Sequence, residues 1–474
     1  MHRTVIIGGG VAGLCCGIFL QKNGIETVIL EKNSFPGGHL TGWKRGGCHI
    51  DNCVHWLTGT LEGTSTYRIW EETGALEGGL YCPESLYKSE YGGESLTLWR
   101  DAERLRDEMV RLSPEDKKQT DRFIKAVKTV SSFQRREKGC RKFSGVPELL
   151  CLHRESLAEY SERFRHPLIR HMFTDYIGGE FQAASLAAAY GAFSSGNGDL
   201  PAGGSAAMAD SMVRRYEKLG GSYHTDSQVV SVDIRNRRAR GATLDDGSFF
   251  SLDSLVCACD PEHFSLMLIN SQMPDGLMRR DRRGELNPGV AEEIKKYGLD
   301  LCDSDNVPFS GTVIFSVKPM DFDKVKHDRL CLREYSYCPS FAPKGKSVIQ
   351  TMVFLYEDDC RRWIAADDDH YRERKREIEQ EIAARICARY PGMRESLTPL
   401  DTWTPASYRR YYNSRSGAFL SHALMPGEIP KMLPSRIKGL ENVFMATQWQ
   451  MSPGGLPIAA KAGISACNGV LSII

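Results

Sequence analysis

The chain has 474 residues, two to three domains' worth of core at about 150 residues each, and 61 Lys plus Arg balance 60 Asp plus Glu. That balance leaves no bulk field to draw in nucleic acid, so no polynucleotide partner is expected. The 15 cysteines are scattered, without C-x-x-C or a secretory leader ahead of the first strand, and no apolar run approaches the roughly 18 residues of a membrane span. A cytoplasmic protein with reduced thiols is expected, soluble or lying on a membrane.

The first element is the apolar run His2-Arg3-Thr4-Val5-Ile6-Ile7, a buried parallel strand that enters Gly8-Gly9-Gly10-Val11-Ala12-Gly13. Gly8, Gly10 and Gly13 match G-x-G-x-x-G, which gives a tight turn, close approach of backbone to a pyrophosphate and close helix–strand packing. A helix from about Val11 to Asn23, with Val11 and Ala12 in its first turn, aims its amides and positive dipole end at the phosphates and stops at Gly24. The next strand, Thr27-Val28-Ile29-Leu30, ends on Glu31, eighteen residues past Gly13 (31 − 13), where an acid accepts hydrogen bonds from a ribose. Lys32 beside it joins the expected nucleotide contacts.

Five residues separate Glu31 from Gly37-Gly38, and Leu40-Thr41-Gly42-Trp43 and Gly47-Cys48-His49-Ile50-Asp51 follow. This stretch resembles the E-x5-G-G signature of the FAD-binding flavoproteins that include amine oxidases, phytoene desaturases, carotenoid isomerases and retinol saturases. In that group the doublet abuts the pyrophosphate and an arginine commonly comes next. His39 stands in its place here, and a phosphate contact from it calls for a protonated imidazole. His39, Cys48, His49, Asp51, Cys53 and His55 crowd within seventeen positions, but strand alternation sends neighbours to opposite faces, so no metal site is expected. Asp51 matches an aspartate that the family has beside the flavin, and His55 and Trp56 are candidates for its edge, with core packing as the alternative.

From about Thr64 to Asp199 the composition reads as helical and mixed. Asp101–Leu112 and Ser113–Thr129 are amphipathic scaffold, and Ala183–Phe193, small and apolar, is either a cavity wall or a plain buried helix. A helix begins at Leu200-Pro201-Ala202-Gly203-Gly204. Gln228–Ile234 and Gly241–Leu244 then pair about a turn at Asn236, Asp246-Gly247 marks a further turn, and Ser254–Ala258 is an apolar strand. The order resembles the middle of the family's FAD domain, where a valine at the Val229 position offers its backbone to the adenine. The basic run Arg235–Arg240 falls on the hairpin tip as a solvated face.

From Glu262 to Pro430 no cofactor motif appears. Val313–Val317 and Val348–Phe354 read as strands, and Tyr371–Tyr390 as a core-facing helix with Ile378, Ile382 and Ile386 on one stripe. Arg279-Arg280-Asp281-Arg282-Arg283 is a solvated loop or a contact for anionic lipid. Thr404-Pro405-Ala406-Ser407-Tyr408 and Gly417-Ala418-Phe419 echo the phytoene desaturase branch. Finally Gly439–Ala446 is a strand, Ser452-Pro453-Gly454-Gly455-Leu456-Pro457 a glycine turn, and Ile458–Ile473 a helix, a second site for partial negative charge. In the family this segment lies at the flavin's N1 and C2 carbonyl, which implies roles for Gly455, Leu456 and Pro457. Gln448-Trp449-Gln450 is expected to face the substrate.

The resemblance runs through the whole chain. It implies an α/β protein in which a Rossmann-like FAD-binding domain of the GR2 type, residues 1–65, 200–262 and 436–474, carries an inserted α+β substrate domain, residues 66–199 and 263–435. The cofactor implied is FAD. The activity implied is hydride exchange between the flavin and an apolar polyene or isoprenoid-like lipid, by desaturation or isomerisation, with saturation less favoured. Substrate and flavin chemistry fall to residues such as His55 and Trp449, electrons to free donors or acceptors, and delivery to a peripheral membrane contact. The alternatives are a flavin amine or amino-acid oxidase on the same fold, and a non-enzymatic carrier of prenylated partners.

Overall fold

The structure is a computed structural model that describes residues 2–136, 144–267, 293–298, 302–303, 307–322, 325–355, 357–414, 417–421 and 424–474. The basic cluster 279–283 lies outside the described residues. Strand β1 (Arg3–Ile7) leads into helix α1 (Val11–Lys22) and strand β2 (Glu26–Leu30). Helix α2 (Gly204–Lys218) precedes β3 (Ser222–His224), then comes β4 (Ser254–Cys257), and β5 (Val443–Met445) precedes α3 (Leu456–Leu471). The five strands form one parallel sheet in the order β5-β4-β1-β2-β3. Three stretches distant in sequence therefore build a single parallel sheet.

The alternation of the strands divides the core. Val5 and Ile7 of β1 and Val28 and Leu30 of β2 face one cluster, while Ile6 and Ile29 face the other, with α1, α2 and α3. Helix α1 is apolar on every side because it is enclosed, and it touches α3 closely: a Cβ at Gly463 would stand 2.3 Å from the Ala12 carbonyl oxygen. It ends at Gly24, whose φ of +75° is readily reached only without a Cβ. On the other face lies a small antiparallel sheet, Val229–Arg235, Arg238–Leu244 and Phe249–Ser251. Its first turn, at Asn236-Arg237, carries the basic run, where Arg238 pairs with Glu441 and Arg235 with Asp233.

The second region is built on a mixed six-stranded sheet with the strand order Glu293–Gly298, Ile349–Leu355, Val325–Glu334, Thr312–Phe322, Ser85–Tyr91, Glu94–Trp99. Helix Asp368–Arg389 covers it with Ile378, Ile382 and Ile386, all buried. The last two strands lie in the segment 64–199, whose composition is helical and mixed and does not single them out. They form a hairpin about Gly92-Gly93, and the parallel pairing of Ser85–Tyr91 with Thr312–Phe322 joins the early segment to the later one. Such pairing depends on a partner more than two hundred residues away, so local composition does not disclose it. Helices Ala102–Leu112, Lys117–Gln134, Pro167–Thr174 and Ala183–Ser194 pack with this hairpin in one cluster. Among the described residues no helix is long and apolar enough to cross a membrane.

Gly13 shows how tightly the first turn is closed, since a Cβ there would lie 2.1 Å from the Gly8 carbonyl oxygen. Backbone cannot give way as a flexible side chain can. Gly13→Ala should destabilise the protein by about 1–3 kcal/mol or more, seen as a lower thermal midpoint of the apoprotein; an unchanged midpoint would contradict this packing.

Candidate functional site

One cavity of about 850 Å³ runs from the β1–α1 turn to the helix Ala183–Ser194, near the upper end of the roughly 300–1,000 Å³ of ligand pockets. Its first part is made by the turn. Gly8 has φ +105°, and a Cβ would sit 2.7 Å from the Ala258 oxygen, so protein geometry alone requires glycine there. Gly10 differs. Its φ is −76°, and a Cβ would meet nothing closer than the Gly37 oxygen at 3.6 Å, so the protein itself has no need of a bare α-carbon at this cavity-lining position. Val11 and Ala12 begin α1 and line the cavity with Gly37 and Gly38. Gly37 bridges to Gly10 and donates its N–H to the Gly9 oxygen at 3.0 Å.

Glu31 is buried at the end of β2. Its Oε2 accepts the Gly9 N–H at 2.8 Å, and its Oε1 accepts the Asn33 backbone N–H at 2.9 Å and Asn33 Nδ2 at 3.0 Å. Burial pushes its carboxyl pKa up, and these hydrogen bonds act against that rise. Val229 is buried in the lining of the same part of the cavity. Lys32 also touches the cavity, but its ammonium donates to the Arg410 carbonyl at 2.7 Å and to Asn413 Oδ1 at 2.8 Å. It thereby caps the C-terminus of the helix Pro405–Tyr412, where a cation is favoured, and two of its three N–H donors are used there.

Two further expectations need correction. Asp51 does not line the cavity: it accepts the backbone N–H groups of Cys53, Val54 and Ser205 and the Ser205 hydroxyl, fixing the 52–56 loop to the start of α2. Its place is that of a positioning group for His55 and Trp56, which follow on that loop and do line the cavity. His39 is half-buried in the cavity wall, and burial drives its pKa down to about 4, so the protonated imidazole of the phosphate reading is disfavoured. Of the crowded 39–55 stretch, His39, Cys53 and His55 line the cavity, His49 packs against Phe341 and Cys48 is buried in the core.

At the other side of the cavity, α3 starts at Leu456 with Gly455 as its N-cap at φ +85° and Pro457 in its first turn. The Gly455 N–H donates to Gln448 Oε1 at 2.8 Å, while Leu456, in the turn whose amides lack intrahelical acceptors, lines the cavity. Gln448 and Trp449 also line it. Gln450 does not: its side chain is buried, accepting the Thr447 N–H and donating to the Leu433 oxygen. The end of the helix Pro405–Tyr412 and the segment after it contribute Tyr411, Tyr412, Ala418, Phe419 and Leu420, none of them chosen as a site residue from the sequence. Gly417-Ala418-Phe419 was the available signal. Beyond them the cavity reaches a wall of Ala184, Ala188, Ala189 and Ala192.

The residues present fit FAD: a bare α-carbon at Gly10, a preorganised buried carboxylate at Glu31 for ribose hydroxyls, and a helix N-terminus at Leu456 for the negative side of a reduced flavin. The profile of the family described as flavin containing amine oxidoreductase matches residues 11–471. The chain is 24% identical to a lycopene-forming phytoene desaturase of Paracoccus sp. (strain N81106 / MBIC 01143), over 96% of this chain and 94% of that protein. It is 21% identical to a chloroplastic prolycopene isomerase 2 of an Oncidium hybrid cultivar, over 91% and 77%. In three dimensions it resembles an oxidoreductase from Methanosarcina mazei, with a TM-score of 0.62 at 16% identity covering 100% of this chain and 99% of that one, which is a likeness of fold.

Two substitutions separate ligand binding from folding. Gly10→Ala should leave apoprotein stability within about 0.5 kcal/mol and weaken FAD binding at least about tenfold, about 1.4 kcal/mol, as read by flavin fluorescence titration. In Glu31→Gln the amide NH₂ must confront either the Gly9 or the Asn33 donors. Losing a charged hydrogen bond of roughly 1.5–3 kcal/mol should lower FAD affinity by about one to two decades. An unchanged dissociation constant in either variant would remove that residue from the nucleotide site.

Proposed function

Because the chain belongs to the family of flavin-containing amine oxidoreductases and is an FAD-dependent oxidoreductase, we propose that its substrate is an apolar polyene or isoprenoid-like lipid whose carbon–carbon bonds exchange hydride with the flavin. Desaturation or isomerisation is the favoured outcome. The observation that carries the reading is the continuity of the cavity: the space beside Leu456 and Trp449 runs on to the alanine face of the helix Ala183–Ser194. Ala184, Ala188 and Ala192 recur every four residues and so lie along one face, spanning about 12 Å at 1.5 Å per residue. A smooth apolar wall suits an extended hydrocarbon. The names of the relatives by sequence, a phytoene desaturase and a prolycopene isomerase, support the same substrate class over amines.

Each part of the chain then has a task. Gly8, Gly10, Val11, Ala12, Gly13, Glu31, Gly37, Gly38 and Val229 hold the nucleotide half of FAD, and Gly455, Leu456 and Pro457 set the field at its other end, favouring negative charge there. FAD, when bound, supplies the acceptance and donation of hydride. The alanine wall and the ring of Phe419 exclude water, and Trp56, His55 and Trp449 flank the reacting carbons. The proposed domain division remains 1–65, 200–262 and 436–474 for FAD, with 66–199 and 263–435 for the substrate. Free electron carriers and a membrane as lipid reservoir complete the proposal.

Incubated anaerobically with a panel of polyenes, the enzyme should change product mass by two hydrogens, or keep the mass and shift retention. Ala188→Phe should retain FAD and lower that rate at least tenfold. Turnover of primary amines with every polyene untouched would overturn the reading.

A further inference from the structure

In the part of the cavity that reaches the helix Ala183–Ser194, two of the polar side chains in the lining are already engaged. The Gln182 carboxamide meets His153 Nδ1 at 2.8 Å and donates to the Glu428 carbonyl at 3.3 Å, and the Tyr176 hydroxyl accepts from Arg333 at 2.8 Å. Gln134, the last residue of the helix Lys117–Gln134, is different. It lines the cavity and its Oε1 accepts Asn197 Nδ2 at 2.9 Å, while its Nε2 has no acceptor among the described residues and is not enclosed.

Neighbours fix which way that amide points. Asn197 is buried, and its Oδ1 accepts two backbone N–H groups, those of Gly59 at 2.8 Å and Leu61 at 3.1 Å. Its NH₂ is therefore the group that faces Gln134, and a donor there requires the Gln134 oxygen, which leaves the NH₂ of this cavity-lining side chain unclaimed. The same asparagine brings in a second group. Gly59 follows Thr58, which lines the cavity with a hydroxyl that has no partner among the described residues and is likewise not enclosed. The Asn197 N–H donates to the Ala192 carbonyl at 3.0 Å, so Gln134, Thr58 and Ala192 gather at the C-terminal end of the alanine wall.

An open carboxamide N–H and a hydroxyl at the end of an apolar wall are matched by an oxygen. A methyl group would strip them of water and leave them unpaired. A hydroxyl fits both, accepting from Gln134 and donating to Thr58. The oxygen is neutral, because neither nearby cation lines the cavity: Arg135 donates to the Ser194 and Ser195 carbonyls at 3.1 and 3.2 Å, and Arg100 pairs with Asp199 at 2.8 Å. Resting on the reading of the cavity as a polyene site, we propose that the substrate carries a hydroxyl at one end, held by Gln134 and Thr58 beside Ala192.

Three probes test this by quenching of the holoenzyme's tryptophan emission: a long polyene hydrocarbon, the same polyene with a hydroxyl on one terminal carbon, and the corresponding carboxylic acid. The alcohol should bind at least about tenfold more tightly than either of the others. In Gln134→Leu its advantage over the hydrocarbon should fall to within about twofold, and Thr58→Val should reduce it, with hydrocarbon affinity unchanged in both. Ser185→Ala removes the hydroxyl of another lining residue, about 10 Å along the helix from Ala192 at 1.5 Å per residue, and should keep the advantage. Native protein that binds alcohol and hydrocarbon within about twofold of each other would overturn the proposal and leave the polyene reading standing. So would an advantage lost in Ser185→Ala and kept in Gln134→Leu. Native holoenzyme that binds none of the three would overturn the polyene reading, and the proposal with it.

Discussion

Three stretches of the chain meet on one peptide, that of Gly9. Its N–H is accepted by Glu31 from the end of β2, and its carbonyl oxygen receives the N–H of Gly37 at 3.0 Å and the hydroxyl of Tyr223 at 3.1 Å. A Cβ at Gly9 would lie 1.9 Å from that hydroxyl. The glycine turn is therefore held from three directions before any ligand arrives: by Glu31, the proposed ribose acid, by the doublet Gly37-Gly38, proposed to lie beside the diphosphate, and by β3. Such preorganisation limits what must be ordered when a large flexible cofactor binds. The parallel sheet follows from the same constraint, because β1, β2 and β3 must end side by side for these bonds to form.

Charge is managed by backbone more than by side chains. Lys32 caps a helix C-terminus and burial disfavours a charged His39, so in the proposed function the N-termini of α1 and α3 are the groups that meet negative charge at the two ends of the cofactor. Gln448 adds a restraint, since its amide fixes Gly455 and also donates to the Phe419 carbonyl, tying the start of α3 to the segment that closes the cavity. Asp51 plays the corresponding part for the 52–56 loop. Removing a buried carboxylate that accepts four donors would displace His55 and Trp56 although neither touches it directly.

The nucleotide half was legible from the sequence because its signals are local. β1, the glycine turn, α1, β2 and Glu31 lie within the first thirty-one residues, each with a steric or capping reason that needs no distant partner. The stripe of Ile378, Ile382 and Ile386 was equally readable, by helical period. The hairpin Ser85–Trp99 was not, since its register is set against Thr312–Phe322. Nor were the occupations of Lys32 and Asp51: both are charged groups beside a cofactor motif, and only the fold reveals that a helix end, Arg410 for one and Ser205 for the other, claims them first. The stretch Ala183–Phe193 reads from sequence as either a buried helix or a cavity wall. Its composition suits either, and burial alone separates the two, with Ala188 open to the cavity and Ala187 enclosed.

The account rests on one cavity that brings an apolar chain against the flavin. The most direct measurement is an anaerobic titration of the holoenzyme with a long polyene and, separately, with a primary amine, following the flavin absorption band. A saturable change at one polyene per flavin, absent with amines, is the predicted result. A band that no polyene alters and that an amine bleaches would contradict it.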